Sequence, residues 1–317
     1  MTNVIERISN GVTLDISQLS IDELRRLHYE EEIFTAEKAK RTRPFSKERN
    51  DLLARGYGLV ATVMRELAVR QDKTFKAMGA KYSYCNLLAR LVEQKKASKK
   101  KEGKIIFFEA GVGTGMVASY LSDREDVIAK GCDFLIDPGL KNSSRLELIE
   151  ADLLEALKRV DDASIDIFYS NDVFEHILDD EMGECMKQIR KKLSPDGIVV
   201  TITPNPLSGP HDISRLYLPV GSKAKGFHFH EYTYGEISQL FRSHGFRVFQ
   251  VVLCNPFTRN FFGLQSPSGI RIVEFLRHAT ERLSPLLWPN TARKIVLAIL
   301  GHQVTIFTKQ DVAVHGL

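Results

Sequence analysis

Apolar positions along the chain change texture near residue 104. Before it they recur at helical spacing. Ser20-Ile-Asp-Glu23 is a capping-box pattern, in which serine and glutamate satisfy each other's orphan amides. Leu24 and Leu27 follow one turn apart. Leu52, Leu53, Val60, Val63, Met64 and Leu67 form a stripe that predicts a helix over about 47–70. A third helix is predicted over about 82–94. The charged run from Lys95 to Lys104 reads as a solvated linker, with a phosphate-binding patch as the alternative.

After the linker, short continuous apolar runs predict buried strands. They are Ile105–Phe108, Val127–Cys132, Leu146–Ile149, Ile165–Tyr169 and Ile198–Ile202. Helices are predicted between them, at Met116–Leu121 and about 181–193, the second closed by the turn Pro195-Asp-Gly197. A capping box at Thr233-Tyr-Gly-Glu236 opens another helix, which Gly245 ends. Phe246–Leu253 and Gln303–Thr308 are the last strands, with an aromatic-rich helical insertion at 257–300 between them. Strands alternating with helices imply βαβ units and a largely parallel sheet. The expected fold is α/β and Rossmann-like. It has a seven-stranded, mostly parallel sheet with helices on both faces, an N-terminal helical region (1–103) and a C-terminal helical insertion. The main domain is expected over 104–317, with insertions at about 205–231 and 257–300.

Charge adds exclusions. The chain has 44 Lys and Arg against 40 Asp and Glu, a net charge of +4. So small a surplus argues against a nucleic-acid binder. Cys85, Cys132, Cys185 and Cys254 form no close pair, which argues against a disulfide framework and a zinc knuckle. Unpaired thiols suit a reducing cytosol, so a cytoplasmic location is expected. The first residues lack a signal peptide's apolar segment, and no apolar run has transmembrane length.

The sharpest chemical signal is Glu109-Ala-Gly111-Val-Gly113-Thr-Gly115, between a buried strand and a helix. Glycines there permit a tight turn and close approach of a ligand to the backbone. Ligands of open α/β sheets bind beyond the carboxyl ends of the strands. A dinucleotide fingerprint would need glycine at Met116. Glu109, a negative charge, favours a cationic nucleoside ligand over a pyrophosphate.

This stretch resembles the first motif of the class I S-adenosylmethionine-dependent methyltransferases. Within them the chain looks like the small-molecule branch that includes the ubiquinone-biosynthesis O-methyltransferases. The resemblance covers roughly 104–256. It implies S-adenosyl-L-methionine as cofactor, held by Glu109, Gly111, Gly113 and Gly115. It implies a ribose-binding acid at Asp133, with Asp137 as the rival. Ala151-Asp152-Leu153 matches the segment where Asp152 and Leu153 would meet the adenine. Asn171 opens Asn171-Asp-Val-Phe-Glu-His176, which resembles the segment after strand four. Leu193-Ser-Pro-Asp-Gly197 resembles the turn before strand five, with Asp196 replacing a glycine. Thr203-Pro-Asn205 resembles the pair that follows.

Methyl transfer requires in-line alignment and can use a base for the acceptor's proton. Histidine suits that role because its ordinary pKa lies near neutrality. His230, His176 and His228 are the candidates. His230 is placed first because it precedes Glu231 and the Thr233 cap. Glu175 and His176 could instead only cap the next helix. In an extended segment His228 and His230 would share a face, but no third metal ligand is evident, so no metal is expected. Absence of an Asn/Asp-Pro-Pro-aromatic motif lowers nucleic acid as acceptor.

The acceptor is therefore expected to be a small molecule, methylated at a hydroxyl. A nucleic-acid methyltransferase and a non-catalytic S-adenosylmethionine-binding protein are the alternatives. Arg41, Arg43, Arg49 and Arg55 could clamp an anionic acceptor or form a solvated helix face. In 257–300, Phe257, Phe261, Phe262, Leu286, Leu287 and Trp288 suggest packing under the N-terminal helices, a homodimer surface, or contact with a lipid-linked acceptor or membrane surface.

Overall fold

The computed structural model describes residues 4–71, 84–98, 103–254, 261–287, 292, 295–296, 299–300 and 304–309. A short antiparallel ribbon, β1 (Val4–Glu6) and β2 (Thr13–Asp15), leads into α1 (Ile21–Arg41) and α2 (Lys47–Arg70). The Ser20 capping box is present, with Ser20 Oγ accepting from Glu23 N and Glu23 accepting from Ser20 N. The stripe predicted on α2 packs against α1: Leu52, Leu53 and Val60 join Ala36 and Ala39 in one cluster.

The next element, α3 (Cys85–Ser98), extends past the expected end of the third helix. Its Leu87, Leu88, Leu91 and Val92 pack in the core beneath the sheet. Lys95 belongs to this helix. It is buried and donates to the carbonyl of Asp196, so this part of the charged run is structural. Residues 99–102 of the expected linker lie outside the described residues.

The alternation that follows is β3 (Ile105–Ala110), α4 (Met116–Ser122), β4 (Val127–Asp133), β5 (Leu146–Glu150), α5 (Leu153–Lys158), β6 (Ile165–Asn171), α6 (Asp179–Lys192) and β7 (Leu193–Ile202). It continues with α7 (Tyr234–Ser243), β8 (Phe246–Cys254), β9 (Phe261–Leu264), α8 (Pro267–Leu287) and β10 (Val304–Lys309). The sheet order is β5-β4-β3-β6-β7-β10-β8-β9. The first five strands are parallel, and β10 is antiparallel to both neighbours. All seven residues of β6 are buried, as a central strand covered on both faces requires. One core contains α3 and α4 residues, and the other contains α5, α6 and α7 residues.

Two boundaries differ from expectation. Among the described residues the sheet has eight strands, because Phe261–Leu264 pairs antiparallel with β8 inside the segment expected to be helical. At Gly263 a Cβ would lie 1.2 Å from Gln250 Nε2, so glycine leaves room for that side chain where the two strands pair. The Leu193–Gly197 segment is the first half of β7 rather than a separate turn. Leu193 pairs with Ile165, and the register shifts before Ile167.

Within the late insertion, α8 packs on α7 and β8, while Phe261 stacks on Tyr84 and joins the α3 cluster, so part of the insertion does pack against the N-terminal helical region. Arg277 of α8 is fully buried and donates to the carbonyl of Val252. Ile272, Phe275, Leu276 and Leu283 face outward. Phe257 and Trp288, and the side chains of Leu286 and Leu287, lie outside the described residues. Cys85, Cys132, Cys185 and Cys254 are not disulfide-bonded. Among the described residues, no helix is long and apolar enough to cross a membrane.

Candidate active site

Strand order reverses between β3 and β6, so a crevice opens beyond their carboxyl ends. The glycine loop leaves β3 at this edge. Gly111, Gly113 and Gly115 have φ of 64°, 58° and 71°, which side-chain-bearing residues rarely adopt. At Gly115 a Cβ would also lie 2.2 Å from Leu140 Cδ1, so packing as well as backbone form demands glycine. Glu109 is fully buried, and its Oε2 accepts from Ala118 N in the first turn of α4 at 3.0 Å. This carboxylate ties the strand to the helix that the loop joins.

Asp133, the last residue of β4, accepts from Gly113 N at 2.8 Å. Asp137 accepts from Gly139 N in an exposed turn beyond it. Thus Asp133 stands against the glycine loop and its rival does not. Asp152 caps α5, accepting from Glu155 N at 3.0 Å, and its other oxygen accepts from Asn50 Nδ2 of α2 at 2.9 Å. Leu153 follows as the first residue of α5. Asn171 ends β6. Its Oδ1 is buried and has no hydrogen-bond partner among the described residues. Positive-φ glycines, an acid on a loop amide and an orphan buried carbonyl at one sheet edge fit a polar nucleoside ligand.

The second half of the site is built on a 3-10 turn, Phe174–His176, just beyond β6. The following helix is capped by the backbone of Leu178, with no side-chain cap, so His176 does not cap α6. Instead, His176 Nδ1 lies 3.0 Å from the Tyr57 hydroxyl. The rings of His176 and His228 meet edge to face with centroids 4.8 Å apart. His228 Nδ1 lies 2.8 Å from Glu231 Oε1.

The expected common face of His228 and His230 is not formed. A bend closes there, with Phe229 N donating both to Phe227 O and to Glu175 O. The turn breaks the alternation that an extended segment would keep. His230 therefore points to the helix starts: its Nδ1 is 3.3 Å from Asp179 Oδ1, its Nε2 is 3.7 Å from Glu236 Oε1, and its ring stacks on Tyr232. The fold brings His176 and His228 together and leaves His230 on the neighbouring rim.

Tyr57 links the two halves. Its ring stacks on Phe134, beside Asp133, and packs against Phe227 and His176. Burial, reinforced by Glu32, Asp133 and Glu175, raises its pKa well above the usual tyrosine range, so the hydroxyl stays protonated. The sequence signal for Tyr57 was faint: a hydroxyl on the apolar stripe of α2, between Leu53 and Val60. Glu32 of α1 completes the frame by accepting from Phe227 N at 2.9 Å.

Among the arginines considered as an anion clamp, Arg49 is fully buried. It pairs with Asp180 at 2.8 Å and Glu181 at 2.9 Å, so it docks α2 onto α6. Arg41 and Arg55 make long, exposed pairs with Glu37 and Glu6.

A family model described as a methyltransferase domain matches residues 78–251, more than half of the chain. The chain belongs to that methyltransferase family. Its sheet order and glycine motif are those of a class I S-adenosylmethionine-dependent methyltransferase. A comparison with curated protein sequences gives no match. Among solved structures, a SAM-dependent methyltransferase from Archaeoglobus fulgidus is 18% identical. It covers 71% of this chain and 94% of its own, with a TM-score of 0.43. The Burkholderia thailandensis 1,6-didemethyltoxoflavin-N1-methyltransferase is 14% identical, covering 75% and 94%, with a TM-score of 0.39. A Haemonchus contortus phosphoethanolamine N-methyltransferase 2 is 15% identical, covering 72% of this chain and 56% of its own, with a TM-score of 0.39.

Proposed function

We propose that this methyltransferase moves the methyl group of S-adenosylmethionine to a hydroxyl oxygen of a small molecule. The observation that carries the reading is the His176–His228 pair beside the cofactor edge, joined to it through Tyr57 and Phe134. A neutral amine needs no base of this kind, whereas a hydroxyl gains much from one. The cofactor supplies an electrophilic methyl on a sulfonium that is its own leaving group.

The chain's residues do the rest. In this proposal Glu109 and the three glycines shape the loop against the cofactor, Asp133 takes the ribose hydroxyls, and Asp152 and Leu153 border the adenine. Asn171 Oδ1 accepts from a cofactor donor. His176 and His228 face the acceptor oxygen. His230 is the outer candidate, because Asp179 and Glu236 already engage both of its nitrogens. From the N-terminal region, α1 and α2 contribute the acceptor-side lid, while α3 belongs to the core: α2 supplies Tyr57 and Asn50, and α1 anchors the 226–230 bend. A net charge of +4 supports a small acceptor over a nucleic acid.

The test is a methylation assay against a panel of hydroxylated small molecules, with calorimetry of S-adenosylmethionine. His228→Ala and His176→Ala are expected to lower kcat by roughly 10²–10⁴ with cofactor affinity unchanged. Full activity in both variants would sink the role of the pair. Absence of cofactor binding in the unaltered chain would sink the reading.

A further inference from the structure

Glu175, His176 and His228 each offer one ligand atom, and these atoms all lie within 4.8 Å of one another. Glu175 is fully buried and the two histidines are partly buried. Two imidazoles and one carboxylate are the three-ligand set of open sites for borderline divalent metals. Ligands on such an ion, bonded at about 2.0–2.2 Å, stand roughly 3–4 Å apart.

The surroundings point the same way. A carboxylate only accepts, so the 2.8 Å contact with Glu231 puts the proton of neutral His228 on Nδ1 and leaves the lone pair on Nε2. His176 is held through Nδ1 as well, by Tyr57 at 3.0 Å. Metal-bound histidines characteristically hold their other ring nitrogen in such a bond, which fixes ring orientation. The backbone is also set: Glu175 O accepts from Phe229 N at 2.7 Å and from His230 N at 3.3 Å. These bonds fasten the bend that carries His228 to the turn that carries Glu175 and His176. His228 and His230 lack a third ligand; the fold supplies a set by pairing His228 with the 175–176 dipeptide.

We propose that Glu175, His176 and His228 form a binding site for one divalent transition-metal ion of the zinc or cobalt class. The two histidines ligate through Nε2 and the glutamate through one carboxylate oxygen. Nitrogen ligands disfavour a hard ion such as magnesium. Three protein ligands leave positions open for water or for an oxygen of the acceptor. The use of the site rests on the proposed methylation. There the ion would lower the pKa of a bound acceptor hydroxyl, whose proton would pass to solvent water before the methyl arrives, and the imidazoles would then act as ligands of the ion in place of taking that proton themselves.

The test is a Co²⁺ titration of the full chain, untagged and metal-stripped, followed by visible absorption, with Zn²⁺ as competitor. One Co²⁺ per chain is expected, with d–d bands that Zn²⁺ removes. Glu231→Gln should weaken Co²⁺ binding roughly 10–100-fold, as loss of an outer partner does. His176→Gln and His228→Gln should weaken it further. Circular dichroism reports whether each variant keeps its fold. Failure of one-to-one binding in the unaltered chain overturns the inference, as does binding that survives in both folded histidine variants. Calorimetry with S-adenosylmethionine on the same samples separates the two readings. Cofactor binding without metal binding removes the metal site and leaves the methyltransferase reading in place.

Discussion

Glu231 Oε1 meets Nδ1 of His228 at 2.8 Å, and the same oxygen accepts from His211 N at 2.6 Å. The carboxylate is thereby anchored to the 205–216 segment while it orients the imidazole. It selects the tautomer that presents Nε2 away from it. Glu231→Gln keeps the shape and removes the charge. It should lower kcat by at least about 10²-fold, because a misoriented or wrongly protonated His228 cannot serve the acceptor oxygen. S-Adenosylmethionine affinity should stay the same. Steady-state kinetics beside calorimetry checks both halves.

The glycine loop offers a sharper disruption. Gly113 has φ of 58°, and its amide is held by Asp133. A branched residue at such a φ carries strain of about 1–3 kcal/mol, and its side chain would crowd the loop that faces the cofactor. Gly113→Val should abolish measurable S-adenosylmethionine binding with little change in far-ultraviolet circular dichroism. Unchanged affinity would remove the loop from the cofactor site.

Asp133 and Asp137 can be told apart by the same titration. Asp133→Ala should weaken S-adenosylmethionine by about 1–3 kcal/mol, the cost of leaving polar partners unmet. Asp137→Ala should leave affinity unchanged, since its carboxylate serves only an exposed turn at Gly139. The reverse pattern would move the ribose contact from the end of β4 to Asp137.

Two glycines on α2 make opposite predictions for stability. A Cβ on Gly56 would lie 2.7 Å from Phe227 Cζ and 2.7 Å from Thr35 Cγ2, so Gly56→Ala forces the 226–230 bend outward. Overpacking of about 1–3 kcal/mol outweighs the roughly 1 kcal/mol helix preference for alanine, and the melting temperature should fall. Gly58 has nothing within 4 Å of that position. Gly58→Ala should therefore raise stability by about 0.5–1 kcal/mol. Thermal melts of the two variants, read side by side, test the packing of α2 on the bend.

Tyr57→Phe isolates a single hydroxyl. The ring contacts with Phe134 and Phe227 remain, while the hydroxyl's contact with His176 Nδ1 is removed. Turnover should fall and the pH profile of kcat should shift, with cofactor affinity nearly unchanged. Identical profiles in the variant and the unaltered chain would show that Tyr57 only packs.

Local sequence was enough for the strand alternation, the glycine loop and the two candidate acids after β4, Asp133 and Asp137. Each depends on neighbours close along the chain: buried strands need unbroken apolar runs, and a turn at positive φ needs glycine. The two capping boxes, at Ser20 and Thr233, were legible for the same reason. Other features were fixed only by contacts between distant segments. Arg49 reads as a surface cation but is buried against Asp180 and Glu181, about 130 residues away. Lys95 reads as linker charge but is satisfied by the Asp196 carbonyl, on the strand below. Period-two reasoning put His228 and His230 on one face. The carbonyl of Glu175 captures the amides of both Phe229 and His230, bends the segment and turns the rings apart. The union of Tyr57, Glu175, His176, His228 and Glu231 draws on α2, the turn after β6 and the 226–231 segment. No local pattern encodes that meeting, because it exists only once α1 and α2 have packed over the carboxyl edge of the sheet.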